Sequence, residues 1–222
     1  MLQSQTVENY LKTIYLAQAE LPADELVPMG QLATALGVVP GTATTMVKAL
    51  AESGLVNYEP YMGVRLTPAG EKLASLVSRR HRLIELFLVK VLGMSWAEVH
   101  DEAERLEHAV SERLIERIDK MLGHPEVDPH GDPIPAADGT IAQPHYLDLL
   151  TAPLNTPLAV TRVIDQDAAF LRFLEQQQLT PGTELVIESR DAAADAVRVK
   201  AGSARPTTIG WRAASKVLVR TA

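Results

Sequence analysis

The sequence predicts a mainly α-helical chain that ends in a small β-barrel. Apolar residues recur at helical spacing through roughly the first 120 residues, and after about Pro153 they alternate with polar residues between turn signals. A segment rich in Pro, Gly and Asp, residues 123–144, separates the two patterns and predicts a tether. The chain has 222 residues, 46% of them apolar, which is enough for one to three modest domains.

The composition restricts the chemistry of the chain. Cysteine is absent, which excludes disulfides, iron–sulfur clusters, thiolate zinc sites and cysteine nucleophiles. Any metal must therefore be held by oxygen and imidazole. The net charge of -7 argues mildly against a general binder of polyanions. Because the sequence has neither a membrane-spanning apolar run nor the pattern of a signal peptide, we expect a soluble, cytoplasmic protein without membrane contact.

The first part of the chain predicts three helices, the last two joined by a tight turn. One apolar stripe marks the first helix and consists of Val7, Tyr10, Leu11, Ile14 and Tyr15. A loop over residues 21–28 leads to two short helices, which end near Gly37 and Gly54. This arrangement has the form of a helix-turn-helix.

The outward side of the second short helix predicts contacts with DNA. It carries Thr42, Thr44, Thr45 and Lys48. Small hydroxyl groups and one cation suit base edges and phosphates; the alternative is that the threonines only cap and cover the helix. Residues 55–66 predict two short strands around a turn, the wing of a winged helix, on which we expect Arg65 to contact phosphate.

Two long helices are predicted for the middle of the chain. Thr67 followed by Pro68 marks a helix start. From Pro68 to about Leu92 there are more apolar residues than one stripe needs, so we expect this helix to be covered on two sides, as in the core of a dimer. The next helix is predicted from about Ala97 to Leu122.

The stretch HDEAERLEH, residues 100–108, predicts a metal site on that next helix. Glu104, Glu107 and His108 are spaced i, i+3 and i+4, so they converge on one helix face, and His100 lies one turn earlier. Hard oxygens with an imidazole favour manganese or ferrous iron. The alternative is a solvated helix face with i,i+4 ion pairs.

Two further clusters favour the metal interpretation. His81 and Glu85 have the same four-residue spacing on the preceding helix, and the stretch VDPHGDP adds Asp128, His130 and Asp132. With the stretch at residues 100–108, the clusters contain four of the six histidines of the chain, His81, His100, His108 and His130. Together the clusters predict that the chain binds a metal ion.

The last seventy or so residues predict a small β-barrel with one short helix. The strand candidates are PLAVTRVI, TELVIES, AVRVKA and SKVLVRT, and the helix covers residues 168–176. We find no internal repeat.

The motifs together resemble the diphtheria toxin repressor family of metal-dependent transcription regulators, including its manganese transport regulator branch. The motifs are TVENYLKTIYLA, the helix-turn-helix, YMGVRLTPAGEKLA, RRHRLIELFL, VHDEAERLEHAVSE and HGDPIP. The resemblance implies a winged helix-turn-helix domain over residues 1–72, a helical dimerisation and metal-binding domain over 73–142, and an SH3-like domain over 153–222. It also implies a homodimer that binds Mn²⁺, alternatively Fe²⁺, and no organic cofactor.

The same resemblance implies the metal ligands. One site would use Glu104, Glu107 and His108 with one residue of the first helix, Asn9 or Glu8. His81, Glu85 and His100 match a second site. To that second region the resemblance adds Asp128 and His130, with one carboxylate of the C-terminal domain, Asp165 or Asp167.

Three positions depart from the family's pattern. Asn9 stands where well-known members have Asp or Met, and a neutral carbonyl oxygen is a weaker ligand. Glu104 stands where iron-selective members have Cys, which matches the manganese branch. Lys12 stands where some manganese members have a Glu ligand, so their paired-metal arrangement is not expected.

The resulting hypothesis is a metal-dependent repressor of metal-uptake genes that binds palindromic double-stranded operator DNA. A dinuclear metal-dependent hydrolase is the alternative from another class, because Glu and His clusters also build such sites. A metal buffer protein and a winged-helix sensor of organic ligands are further alternatives.

Overall fold

The computed structural model describes residues 4–22, 24–142 and 144–221. Two compact units make up the chain. The first unit contains the residues up to His81 together with Pro135–Ile141. The second contains Arg82–Ile134 and the residues from Ala142 onward. Within the described ranges, every helix is too short or too polar to cross a lipid bilayer.

The first unit begins with the three predicted helices. Their bounds are Gln5–Ala19 for α1, Met29–Ala35 for α2 and Pro40–Glu52 for α3. The Ser4 side chain caps α1 by accepting a hydrogen bond from the Val7 N–H. Tyr10, Leu11 and Ile14 of α1 are buried in the core of this unit, which confirms the predicted apolar stripe.

The wing follows as an antiparallel hairpin. Strand β1 is Val56–Glu59 and strand β2 is Gly63–Leu66. Val27, from the loop before α2, forms an isolated bridge to Val64, so the hairpin is fastened to that loop. The predicted helix start is confirmed, because the Thr67 hydroxyl accepts from the Gly70 N–H at 3.2 Å and α4 runs over Pro68–Lys90.

The prediction of a single helix over residues 97–122 is wrong. The structure has α5 at Val99–Leu106 and α6 at Glu112–Met121. Ser111 is the N-cap of α6. Its hydroxyl accepts a hydrogen bond from the Leu114 N–H, an amide that has no i−4 carbonyl partner within the helix. Glu107 and His108 lie after the end of α5, so they do not share one continuous helix face with Glu104.

The interpretation of residues 123–144 as a loose tether is also wrong for its central part. Asp128, His130 and Asp132 are at most 5% exposed, and Val127 bridges to Pro133. Polar composition is typical of linkers, but here the polar groups bind one another and the neighbouring strand. We call residues 127–134 the ligand loop.

The C-terminal part of the second unit is an antiparallel sheet with two short helices. The strands are β3 Leu147–Asp148, β4 Leu158–Val163, β5 Glu184–Asp191, β6 Ala196–Ala201, β7 Thr207–Gly210 and β8 Val217–Thr221, in the order β3-β8-β4-β5-β6-β7. The helices are α7 Ala168–Gln176 and α8 Trp211–Ala214. All four predicted strands and the predicted helix are confirmed. Along the described part of the chain, β3 and β7 are edge strands, so the sheet does not close into the expected barrel.

Candidate metal centres

One group of metal-ligand side chains is enclosed inside the second unit. Glu85 lies on α4, and Asp128 and His130 lie on the ligand loop. Their exposed fractions are 0%, 4% and 0%, and each offers a ligand atom within 4.8 Å of the others. His130 Nδ1 is 3.7 Å from Glu85 Oε2 and 3.9 Å from Asp128 Oδ1. We call these three residues the buried cluster.

The hydrogen bond of His130 determines which ring nitrogen faces the cluster. Its Nε2 is 2.8 Å from the carbonyl oxygen of Trp96. A carbonyl can only accept, so Nε2 carries the proton and Nδ1 keeps its lone pair when the ring is neutral. His130 Nδ1 and Asp128 Oδ2 are buried atoms without a hydrogen-bond partner, and Arg82 Nε lies 3.9 Å from Asp128 Oδ2. A nitrogen lone pair and a carboxylate oxygen that both lack a hydrogen bond fit a divalent cation.

The ligand loop holds Asp128 and His130 in place through its own backbone. Asp128 Oδ1 accepts from the His130 N–H at 2.7 Å and from the Asp132 N–H at 3.0 Å. The Asp128 N–H in turn donates to the Asp132 carbonyl at 3.0 Å. The loop is therefore closed on itself, and its own hydrogen bonds fix the positions of the two candidate ligands.

Strand β4 supports this loop from the outside. The Val163 N–H donates to the His130 carbonyl at 2.8 Å. Gly131 has a φ of +85°, and a Cβ added there would lie 1.8 Å from the carbonyl oxygen of Thr161. Thr161 lies at a register shift in the pairing of β4 with β8. Only glycine satisfies both the backbone angle and the contact with this bulge.

Burial and neighbouring charge shift the pKa values in the cluster. Burial raises the pKa of Asp128 well above its ordinary value, and the carboxylates of Asp132 and Glu85 raise it further. Burial alone would lower the pKa of His130, but the Glu85 carboxylate close to its ring, together with Asp128, outweighs burial, so this pKa is raised. Without a cation the cluster thus favours holding protons, which metal binding would displace.

The side chain of His100 connects the buried cluster with α5. Its Nδ1 is 3.3 Å from Glu85 Oε1, and its Nε2 is 3.9 Å from Glu104 Oε1 one turn further along α5. His108 Nε2 is 3.3 Å from Glu107 Oε1 in the turn after α5. We call Glu104, Glu107 and His108 the α5 set. Glu104 is half-exposed, whereas Glu107 and His108 are almost enclosed.

The remaining predicted ligands of the first helices lie in the first unit. Glu8 accepts from Arg80 of α4 at 2.8 Å, and both side chains are largely buried. Asn9 presents a buried Oδ1 that has no hydrogen-bond partner. Lys12 is largely buried, with 7% of the residue exposed. His81 lies on α4, one helical turn before Glu85. Of the two first-helix candidates, the orphaned oxygen of Asn9 is better suited to a cation than the ion-paired Glu8.

The two carboxylates expected from the C-terminal domain have other partners. Asp165 pairs with Lys216 and accepts from the Asp167 N–H, and this lowers the pKa of Asp165. Asp167 caps α7 by accepting from the Phe170 N–H at 2.9 Å. The residue between them, Gln166, contacts the ligand loop instead, by donating to Asp132. Gln166 was not predicted as a site residue, because an amide between two aspartates gives no sequence signal of its own.

The predicted DNA-contacting residues lie on the expected elements. Thr42, Thr45 and Lys48 are exposed on α3, and Thr44 is half-buried. The hydroxyls of Thr44 and Thr45 donate to carbonyls one turn back, so their oxygens can act only as acceptors toward another partner while these bonds are kept. Arg65 of the wing donates to the Glu25 carbonyl at 2.7 Å, so its guanidinium helps to hold the wing on the preceding loop.

Comparison with known proteins gives matches along nearly the whole chain. A family model described as the iron dependent repressor N-terminal DNA binding domain matches residues 2–64. The iron dependent repressor metal binding and dimerisation domain matches residues 67–136. A FeoA domain model matches residues 147–221. The three models therefore cover the winged helix, the helical region with the ligand loop, and the C-terminal sheet.

Individual relatives agree with the family models. The iron-dependent repressor IdeR of Mycobacterium leprae is 31% identical over 200 residues, 84% of this chain and 85% of that protein. The diphtheria toxin repressor of Corynebacterium glutamicum is 37% identical over 131 residues, 59% of this chain and 56% of that protein.

Solved structures share the fold over 97% of this chain. A manganese-dependent transcriptional repressor in complex with manganese is 39% identical, with a TM-score of 0.87 and all of its chain covered. The manganese regulator SloR is 34% identical, with a TM-score of 0.75 and 98% of its chain covered.

Proposed function

Because the chain belongs to the iron-dependent repressor family of metal-dependent, DNA-binding transcription regulators, we propose that Mn²⁺, or alternatively Fe²⁺, switches its binding to operator DNA. The observation that carries the proposal is the buried cluster of Glu85, Asp128 and His130. Its donors are oxygen and nitrogen alone, and the buried His130 Nδ1 and Asp128 Oδ2 atoms have no hydrogen-bond partner. A set without thiolate matches the preference of manganese and ferrous iron rather than copper(I) or structural zinc.

Each residue of the proposed centres has a definite task. His130 offers Nδ1 because the Trp96 carbonyl holds its other nitrogen, while Glu85 and Asp128 supply negative charge. When bound, the dication supplies the positive charge that offsets repulsion among the carboxylates. His100 contacts both Glu85 and Glu104, so its orientation depends on both sets.

The family resemblance adds the remaining ligands to the proposal. It assigns Asn9 to the α5 set and His81 to the site of Glu85 and His100. The orphaned Oδ1 of Asn9 supports the first assignment. Its neutral oxygen would bind the ion more weakly than a carboxylate, so we expect Asn9→Asp to tighten binding.

DNA recognition is assigned to α3. Thr42, Thr45 and Lys48 form an exposed polar side of this helix. We propose that a homodimer, held together by the helical region 73–142, presents two such helices to half-sites about 34 Å apart, or a multiple of that distance. Metal binding and operator binding must then strengthen each other by the same factor. The targets would be metal-uptake genes, regulated in the cytoplasm.

Gel-shift titrations would test the proposal. DNA upstream of nearby metal-transporter genes is titrated with the protein in the presence of Mn²⁺, Fe²⁺, Zn²⁺ or a chelator. We expect a shift with Mn²⁺ that the chelator reverses, that His130→Gln in the buried cluster weakens and that Glu107→Gln in the α5 set abolishes. Glu116→Gln, which removes an exposed carboxylate of α6, is the matched control and should behave as wild type. A shift that persists in chelator would contradict metal control.

Membership in a family of repressors leaves the hydrolase interpretation without support. The buffer interpretation would predict ion binding with no change in operator affinity, so the same titration separates it from a repressor.

A further inference from the structure

We propose that Asp132 is a positioning residue through which the C-terminal sheet sets the geometry of the buried cluster. This inference rests on the proposed role of Glu85, Asp128 and His130 as metal ligands. It differs from that role because it concerns a carboxylate, an amide and a guanidinium outside the ligand set, and the way the sheet reaches the ion.

Asp132 is the point where three elements meet. Its side chain is 5% exposed. Oδ2 accepts from Gln166 Nε2 at 2.9 Å, and Oδ1 is 2.5 Å from Arg162 Nε. Both partners come from β4 or the residues directly after it. From α4, Arg82 NH2 approaches Oδ1 to 4.0 Å, and its NH1 donates to the Pro133 carbonyl.

The backbone of Asp132 transmits these contacts to the cluster. Its N–H donates to Asp128 Oδ1, and its carbonyl accepts from the Asp128 N–H, both at 3.0 Å. Only His130 and its two neighbours lie between these anchor points. A displacement of Asp132 must therefore move both candidate ligands of the loop.

Two further contacts make the connection to the sheet stiff. The His130 carbonyl accepts from the Val163 N–H, and Gly131 lies directly against the backbone of Thr161. In the described part of the second unit, the C-terminal aspartates nearest to these contacts, Asp165 and Asp167, are held by Lys216 and by the start of α7. The sheet thus acts on the cluster through Asp132 and the loop backbone rather than through a carboxylate of its own.

A double-mutant cycle on the full chain tests the proposal. Mn²⁺ affinity is measured by calorimetry and by the electron paramagnetic resonance signal of the free ion. The variants carry Glu107→Gln as background, to remove the other ligand set. His130→Gln identifies the affinity that belongs to the buried cluster. Asp132→Asn, Arg162→Gln and Gln166→Leu are then compared singly and in pairs.

We expect each of the three changes to weaken this affinity by about 10- to 100-fold, the range found for residues that orient metal ligands. The Mn²⁺ affinity of the Asp132→Asn and Arg162→Gln double variant should fall no further than that of the weaker single variant, because both changes remove the same ion pair. Hydrogen exchange in β4 should slow on Mn²⁺ addition in the background protein and not in Arg162→Gln. Arg198→Gln, which removes an exposed sheet arginine paired with Glu188, is the matched control.

The outcomes separate this inference from the proposed function. If no Mn²⁺ site depends on His130, the buried cluster is not a metal site and the proposed function loses its support. If that site exists but Arg162→Gln and Gln166→Leu leave its affinity unchanged, the positioning role is overturned while the metal site stands. A loss in Asp132→Asn alone would make Asp132 a direct ligand and would also overturn it. Thermal melting in chelator identifies variants that fail to fold. If Asp132→Asn or Arg162→Gln fails to fold, the Mn²⁺ affinity of Gln166→Leu still tests the positioning role.

Discussion

The buried cluster and the α5 set differ in how far water can reach their charges. Glu85, Asp128 and His130 are enclosed, whereas Glu104 in the α5 set is 38% exposed. Water can solvate part of the α5 set when no ion is bound, but it cannot solvate the buried cluster. If both sets bind the proposed ion, we expect the enclosed set to depend on it more strongly for stability and the half-open set to exchange it at lower cost.

The largest expected effect tests this dependence directly. With Mn²⁺ about 1,000-fold above its dissociation constant, binding should raise the free energy of unfolding of the wild type by ~4 kcal/mol per site. His130→Gln should remove most of the stabilisation at the buried cluster, because it deletes the orphaned Nδ1. Glu104→Gln, the matched change in the α5 set, should remove less. Chemical denaturation with and without Mn²⁺ measures the stabilisation lost in each variant. Equal losses in His130→Gln and Glu104→Gln would contradict the expected difference between the two sets.

The next effect concerns ion selectivity at the half-open set. Glu104→Cys replaces a hard oxygen with a soft thiolate, so the ratio of Zn²⁺ to Mn²⁺ affinity should rise about tenfold or more. Competition titrations measure this ratio, with Glu104→Gln as the control that removes the carboxylate without adding sulfur. An unchanged ratio in Glu104→Cys would show that Glu104 does not contact the ion.

A smaller effect tests how the α5 set is held. Ser111→Ala removes the cap of α6 and should cost about 1 kcal/mol of unfolding free energy, whereas Ser111→Thr keeps an acceptor and should cost less. The turn bearing Glu107 and His108 lies directly before this cap, so the Mn²⁺ affinity of the α5 set should also fall in Ser111→Ala. The buried cluster, positioned by the ligand loop, should keep its affinity. Urea unfolding and Mn²⁺ titration of the two variants give the answer.

The smallest effect contrasts two carboxylates by their pH dependence in metal-free protein. The Lys216 ammonium lowers the pKa of Asp165, so this residue contributes stability above its unfolded pKa and loses it as pH falls through the folded pKa. Solvent screening limits this contribution to about 0.5 kcal/mol. Asp165→Asn should lose it near neutral pH and should match the wild type once the pH falls below the folded pKa.

Asp128 should show the opposite sign. Its pKa is raised, so the stability it contributes is present below its unfolded pKa and is lost as pH rises through the folded pKa. Asp128→Asn should therefore stabilise the metal-free protein at neutral pH. Denaturation series across pH, in chelator, check both residues, and the same sign for both would contradict this account.

Local pattern was enough to predict most helices and strands. The stripe of α1, the glycines around α2 and α3, and the Thr67–Pro68 start of α4 each depend on neighbours in sequence. The break between α5 and α6 was missed because charged residues on both sides of it favour helix. Ser111 followed by Glu112 is the signal that could have revealed it, since this pair commonly begins a helix.

Tertiary contacts account for what the sequence did not predict. The ligand loop has the composition of a linker, and its burial depends on Arg162, Gln166 and the β4 backbone, which lie about thirty residues away. The same holds for Asp165 and Asp167, whose carboxylates are suitable ligands but have nearer partners. The residue types of the buried cluster were predicted, and their enclosure was not.

The proposed ligands contain no sulfur atom. Peroxide and other oxidants convert cysteine thiolates stepwise to sulfenic, sulfinic and sulfonic acids, and the last two steps destroy a thiolate ligand permanently. Carboxylates and imidazoles take no part in that sequence of reactions. A regulator that binds its ion through Glu85, Asp128 and His130 therefore cannot lose its ligands by this route, the one by which peroxide inactivates a thiolate-based sensor.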